Sequence, residues 1–176
     1  MAATNPQTST SRNEQTEPRN QKIITFLWFD NNAEEAVNFY TSVFKNSKIL
    51  NTTRYGDGVP GPKGSVMTID FELDGQKIVA LNGGPQFKFT EAISLLVNCQ
   101  TQDEIDYFWE KLSEGGQKVE CGWVKDKFGL SWQIVPDNLM TDLLQGADQA
   151  KTDRVMHAVM KMKKLDIKQL QEAARG

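Results

Sequence analysis

Few residues in this chain could do chemistry. The one histidine, His157, stands far in sequence from both cysteines, Cys99 and Cys121, and the cysteines form no CxxC pair. Tetrahedral zinc needs three or four such donors brought close, so the chain encodes no such site. Two separated cysteines read instead as small buried apolar residues. A serine nucleophile needs a positioned base, and no histidine lies between residues 22 and 136 to pair with one. Glu72, Glu91 and Glu120 could serve as general bases, yet each also suits a solvent-facing strand position. Glu34, Glu35, Asp103 and Glu104 fit better as favourable charges at helix N-termini. The Gly-rich "NGGP" (82–85) is not G-x-G-x-x-G and joins no strand to a cofactor-binding helix; it reads as a tight turn.

The elements that must position these groups follow from periodicity. "KIITFLWF" (22–29) is a continuous apolar, β-branched run and predicts a buried strand. Asn32 and Glu35 resemble a capping box, and Ala36, Val37, Phe39, Tyr40, Val43 and Phe44 follow on one helical face. A strand over 48–55, a Gly/Pro loop over 56–65 and two strands turning at Asp74-Gly75 come next. A second set opens with a strand over 91–98. Thr101 and Glu104 form a capping box, a helix runs to Gly115-Gly116, and short strands turn near Phe128-Gly129. After Pro136 three helical patterns remain, at about 138–144, 149–163 and 166–174, with Asp137, Asp148 and Asp166 as N-caps and Gly146 as a stop.

These two sets are one pattern made twice. A shift of 69 residues carries Asn32 onto Thr101, Phe39-Tyr40 onto Phe108-Trp109, and Thr25 onto Ser94. The hairpin glycines, Gly75 and Gly129, need a shift of 54, and the Gly/Pro loop absorbs the difference. Each half reads strand, helix, then three strands. The fold class is therefore α+β, two βαβββ modules (22–85 and 91–136) followed by a C-terminal helical extension (137–176).

Composition bounds the rest. Of the 176 residues 39% are hydrophobic, and the net charge is -3 with a pI of about 5.3. Basic residues cluster only in "KMKK" (161–164), so nucleic acid is not an expected partner. No apolar run approaches the roughly 20 residues that cross a bilayer. Residues 1–21 are rich in Thr, Ser, Asn, Gln and Pro, lack the apolar core of a secretory signal, and read as a disordered tail. The expected compartment is the cytoplasm.

A paired βαβββ unit resembles the vicinal-oxygen-chelate fold of glyoxalase I, extradiol dioxygenases and bleomycin-resistance proteins. Within it the chain is most similar to the PhnB-like proteins, also labelled 3-demethylubiquinone-9 3-methyltransferase domains. The stretches that carry the resemblance are "LWFDNNAEEAVNFYTSVF" (27–44), "ALNGGPQFKFTEAISLLVNC" (80–99), "CGWVKDKFGLSWQIVP" (121–136) and "RVMHAVMKMKKLDIKQL" (154–170). The resemblance implies that each half curls into an open U with its helix outside, and that the two Us enclose a cavity. In metal-dependent members the first and last strands of each half supply the ligands. Here those positions fall at Thr25, Ser94, Val79 and Gln133, a set that cannot hold a metal. No cofactor is expected.

Strand alternation from those positions makes Thr25, Leu27, Phe29, Ser94, Leu96, Asn98 and Gln133 pocket candidates, with Ser131 and Val135 beside Gln133 and with Trp123 and Trp132 as flat surfaces. A mostly apolar wall with a few neutral hydrogen-bonding groups suits a small organic ligand, aromatic or quinone-like in the narrower expectation. Two alternatives stand beside metal-free binding. One is an enzyme of the same family, methyltransferase-like by label alone, or a metal-dependent lyase or dioxygenase. The other is an interaction protein working through Val155, Met156, Val159, Met160 and Met162. A homodimer is expected.

Overall fold

The computed structural model describes residues 21–137, 139, 144, 146 and 148–176. The expected N-terminal tail lies outside the described residues except for Gln21, and the helix expected over 138–144 does so except for Leu139 and Leu144.

The apolar run begins its strand three residues later than expected, as β1 (Thr25–Phe29), and leads into α1 (Ala33–Val43). Then come β2 (Ser47–Arg54), β3 (Val66–Leu73) and β4 (Gln76–Asn82). Asp74 and Gly75 turn the β3–β4 hairpin at φ +46° and +82°, the left-handed pair that matches strand twist. The second module repeats the order with β5 (Ser94–Cys99), α2 (Gln102–Ser113), β6 (Gln117–Lys118), β7 (Trp123–Lys125) and β8 (Ser131–Pro136). Each module forms one mixed four-stranded sheet, ordered β1-β4-β3-β2 and β5-β8-β7-β6. Each outer first strand runs parallel to the last, β1 to β4 and β5 to β8.

The two helix starts differ. Thr101 caps α2 as expected, its Oγ1 accepting the Glu104 N–H at 3.2 Å, while the Glu104 carboxylate accepts the Gln100 N–H at 2.7 Å. The Asn32 side chain makes no capping bond. Instead the Ala33 N–H donates to Asn82 Oδ1 at 2.9 Å, so the end of β4 caps α1.

Register fixes the faces. Thr25, Leu27 and Phe29 pair with Ile78, Ala80 and Asn82, and lie on the side of the first sheet that faces α1. Leu27 and Phe29 are 5% and 2% exposed, while Phe26 on the other side is 57% exposed. In the second sheet the corresponding helix-facing residues are Leu95, Val97 and Cys99, paired with Trp132, Ile134 and Pro136. The first strands thus correspond at a shift of 70, although the helices correspond at 69. Asp30 and Asn31 stand between β1 and its cap where Gln100 alone stands between β5 and Thr101. One residue of offset turns a whole strand over, so Thr25, Leu27 and Phe29 face the opposite way from Ser94, Leu96 and Asn98.

The helix-facing sides of both sheets and both helices share one core, from Leu27, Val37 and Phe71 to Ile105, Trp132 and Ile134. Here the structure differs from the implied picture of helices outside: the helix-facing sides of the two sheets meet in this shared core, and the open faces turn away from it. The C-terminal helices α3 (Gln149–Met160) and α4 (Ile167–Arg175) are capped by Asp148 and Asp166, as expected. They build a second core with Val135, Val155, Val159, Leu165 and Leu170. The Gln102 side chain anchors them, donating to Leu165 O at 3.1 Å and accepting the Ile167 N–H at 3.0 Å. Cys121 and Gly122 add N–H bonds to Met162 O and Lys163 O, both 2.7 Å. Among the described residues no helix is long and apolar enough to cross a membrane.

Candidate functional site

Five of the expected pocket residues meet on the open face of the second sheet. Pairing across β5, β8 and β7 sets them in rows: Ser94, Ser131 and Lys125; then Leu96, Gln133 and Trp123; then Asn98 and Val135. Gln133 Nε2 donates to Ser94 Oγ at 2.8 Å. Leu96 beside them is 50% exposed. Ser131 is 1% exposed, and its hydroxyl has no hydrogen-bond partner among the described residues. A fully buried hydroxyl without a partner is uncommon, because its desolvation is not offset. Lys125 is ion-paired with Glu91, which holds the Glu91 carboxyl below the usual carboxylate range, chiefly through the hydrogen bond. At the far end of the face Val135 is covered by the C-terminal helices. The remaining expected residues, Thr25, Leu27 and Phe29, lie in or beside the shared core, for the reason of offset given above.

The other candidates take structural places. Glu72 and Glu120 lie within 4.0 and 3.5 Å of Lys48 and Lys163. Cys99 is buried, and burial, helped by the nearby Glu104 charge, pushes its thiol up to about 12, so it carries no thiolate at neutral pH. Cys121 is half-buried rather than buried, at φ +60°, with its sulfur 3.7 Å from Met160 Sδ. His157 is exposed on α3.

Sequence reasoning missed Asp126, the polar centre of the core. It follows β7 and is 3% exposed. Its carboxylate accepts four bonds: from Tyr40 Oη and Trp132 Nε1 at 2.8 Å each, and from the Phe128 and Leu130 N–H groups at 2.9 and 3.0 Å. Burial pushes this carboxyl above the usual range, against the pull of those donors. Burial and the Asp126 charge likewise hold Tyr40 well above an ordinary tyrosine. Four donors saturate the carboxylate, so it joins the modules rather than acting on a ligand. Its only sequence signal was an acidic residue between two lysines at a turn.

The described residues also form two further cavities. One, of about 650 Å³, opens between the modules and includes Phe44, Ile78, Val97, Phe108 and Trp132. A smaller one of about 210 Å³ sits at the Asp30–Asn32 corner under Phe87 and Phe89.

The open-face positions of the first and last strands do not make a metal ligand set. With the corrected register, the first-strand residues on the open faces are Phe26 and Trp28 in one sheet and Ser94, Leu96 and Asn98 in the other; Val79 and Gln133 are their last-strand neighbours. This set is mostly hydrocarbon and neutral amide or hydroxyl. Among the described residues no three His, Cys, Asp or Glu side chains gather. Gly83 of "NGGP" serves packing, since a Cβ there would overlap the Trp28 indole, whose Nε1 donates to Gly84 O at 2.9 Å, and Gly84 serves the turn with φ +91°.

The comparisons with known proteins agree with this architecture. The family model described as 3-demethylubiquinone-9 3-methyltransferase matches residues 21–135. The solved PhnB protein of Bacillus cereus, which bears the same description, is 41% identical. It covers 66% of this chain and 99% of its own, with a TM-score of 0.61. Protein PA1353 of Pseudomonas aeruginosa is 21% identical over 65% of this chain and 96% of its own, with a TM-score of 0.55. No curated protein matches the chain. The extension beyond residue 135 lies outside the family match. On residues 21–135, folded as two βαβββ modules, the chain belongs to the PhnB-like 3-demethylubiquinone-9 3-methyltransferase family.

Proposed function

We propose that the protein binds a small organic molecule, without an intrinsic metal, on the open face of the second sheet. A second copy of the chain supplies the facing wall. The observation that carries this reading is the Ser94–Gln133 pair beside the buried, unpartnered Ser131 hydroxyl. It puts neutral polar groups among Leu96, Trp123 and Val135, the composition of a site for an organic ligand with oxygen acceptors. Trp123 supplies a flat surface, which favours an aromatic or quinone-like ring.

The dimer rests on two features. Phe26 and Leu96 stand exposed on the open faces. Beside them β1 and β5 each have one unpaired edge. Uncovered apolar edges invite another chain. The first sheet of one copy, with Phe26, Trp28, Val79 and Leu81 outward, would then face the second sheet of the other. Methyl transfer, as the family description has it, would require a donor held by residues other than the "NGGP" turn.

Native mass spectrometry of gently purified protein, without chelator, tests the reading. A dimer carrying an organic mass is expected, with occupancy at least tenfold lower in Gln133→Leu. A metal at one per chain, or an organic mass retained equally by the variant, would overturn it.

A further inference from the structure

α1 stops at Val43, and beyond its end lies the cleft of about 650 Å³. Phe108, Phe44 and Trp132 make a stacked wall there, with centroids 5.0 and 5.5 Å apart and ring planes within 28°. Ile78 of the first sheet and Val97 of the second complete the apolar interior. Ser94, Trp123, Ser131 and Gln133 do not line it, whereas Leu96 and Asn98 do, so the cleft and the open-face site adjoin along the free edge of β5 without sharing Gln133.

Its mouth is acidic. Asp74, Asp103 and Glu104 stand there against Lys45. Among the described residues neither Asp74 nor Asp103 is ion-paired. The C-terminal end of α1 also opens on the cleft, with no basic residue in its last turn. The carbonyls at that end carry partial negative charge, which the α2 N-terminus beside Asp103 and Glu104 offsets, so the pull on a cation rests on the carboxylates. A volume of this size suits a small-molecule ligand. A flat ring packs well beside this stack, edge to face or offset.

We propose that this cleft is a second binding site, for a flat aromatic molecule bearing an ammonium or amidinium group. The ring lies against the Phe44–Phe108 wall, and the cation turns to Asp74 and Asp103 at the mouth. An anion of the same shape meets like charge.

Calorimetric titration of the full chain with naphthylmethylammonium and with naphthalenesulfonate tests this, because the two probes match in ring and differ in charge. The ammonium is expected to bind at least tenfold more tightly. The preference should collapse in the Asp74→Asn/Asp103→Asn double variant, whose changes are at exposed positions and leave the ring wall intact. Asparagine also accepts the left-handed backbone at residue 74. Binding of the ammonium should survive Gln133→Leu, which strikes the open-face site alone. Equal affinities for the two probes, no saturable binding of the ammonium, or its loss in Gln133→Leu would each overturn the proposal.

Discussion

In the first module Asp30 and Asn31 precede the helix cap; in the second Gln100 does so alone. The helices keep their places, with Ala36, Tyr40 and Val43 buried in one and Ile105, Trp109 and Leu112 in the other. The strands do not: the extra residue turns β1 over relative to β5. A second contrast lies two strands further on, where a shift of 54 pairs Glu72 with Asp126. Glu72 stands on an open face near Lys48, whereas Asp126 is buried beneath the module joint. Repeated modules can keep their packing and still present different residues to solvent.

The contrast between the two acids should break hardest. Asp126→Ala strands the Tyr40 hydroxyl, the Trp132 indole N–H and two backbone N–H groups in the core, and should cost on the order of 3–5 kcal/mol. Glu72→Ala removes a partly exposed contact and should cost less than about 1 kcal/mol. Urea denaturation of both variants checks the difference. Equal costs would mean that Asp126 does not hold the joint. The strand contrast comes next. Leu27→Ala should cost about 3 kcal/mol of folding stability, as a buried core truncation. Phe26→Ala should leave the denaturation midpoint within about 1 kcal/mol, because the ring is mostly exposed, while weakening self-association in sedimentation. The reverse order would restore the 69-residue register to the strands.

The joint should also be visible in pH. Tyr40 is held well above an ordinary tyrosine, so above about pH 10 the unfolded chain loses that proton while the folded chain keeps it. The folded state then binds more protons, and stability falls as pH rises. Asp126, also raised, acts in the same direction lower down, as pH climbs from the ordinary carboxylate range through its folded value. Tyr40→Phe should cost about 1 kcal/mol at neutral pH. It should also flatten part of the decline in urea midpoint between pH 9 and 11, in wild-type terms the steepest part. An unchanged alkaline slope would show that Tyr40 ionises freely in the folded protein.

The repeat was legible because caps, helix aromatics and turn glycines are local signals that survive divergence. Thr101, Asp148 and Asp166 cap as their neighbours predict. Strand facing was not legible in β1, because it hangs on the single extra residue before Asn32, and a continuous apolar run carries no alternation to reveal the error. Five of the eight expected pocket residues do share a face, since Gln133 and Ser94 sit in strands whose register the hairpin and helix settle. Asp126 stayed hidden because Tyr40, its partner across the joint, is 86 residues away. The docking of α3 and α4 hides for the same reason: Gln102 reaches Leu165 and Ile167 across more than sixty residues of chain.

The smallest contrast lies at the two caps. Thr101→Ala removes an acceptor from the first turn of α2 and should cost about 1 kcal/mol. Asn32→Ala, at the matching position, should cost only a few tenths, because its side chain accepts no bond from α1. The cost should reappear at Asn82→Ala, which takes the acceptor from the Ala33 N–H and the donor from Val66 O and should lower stability by about 1–2 kcal/mol. Denaturation midpoints of the three variants check the ranking. If Asn32→Ala cost as much as Thr101→Ala, the first helix would be capped by its own sequence after all. The link from β4 to the helix would then be a contact rather than a cap.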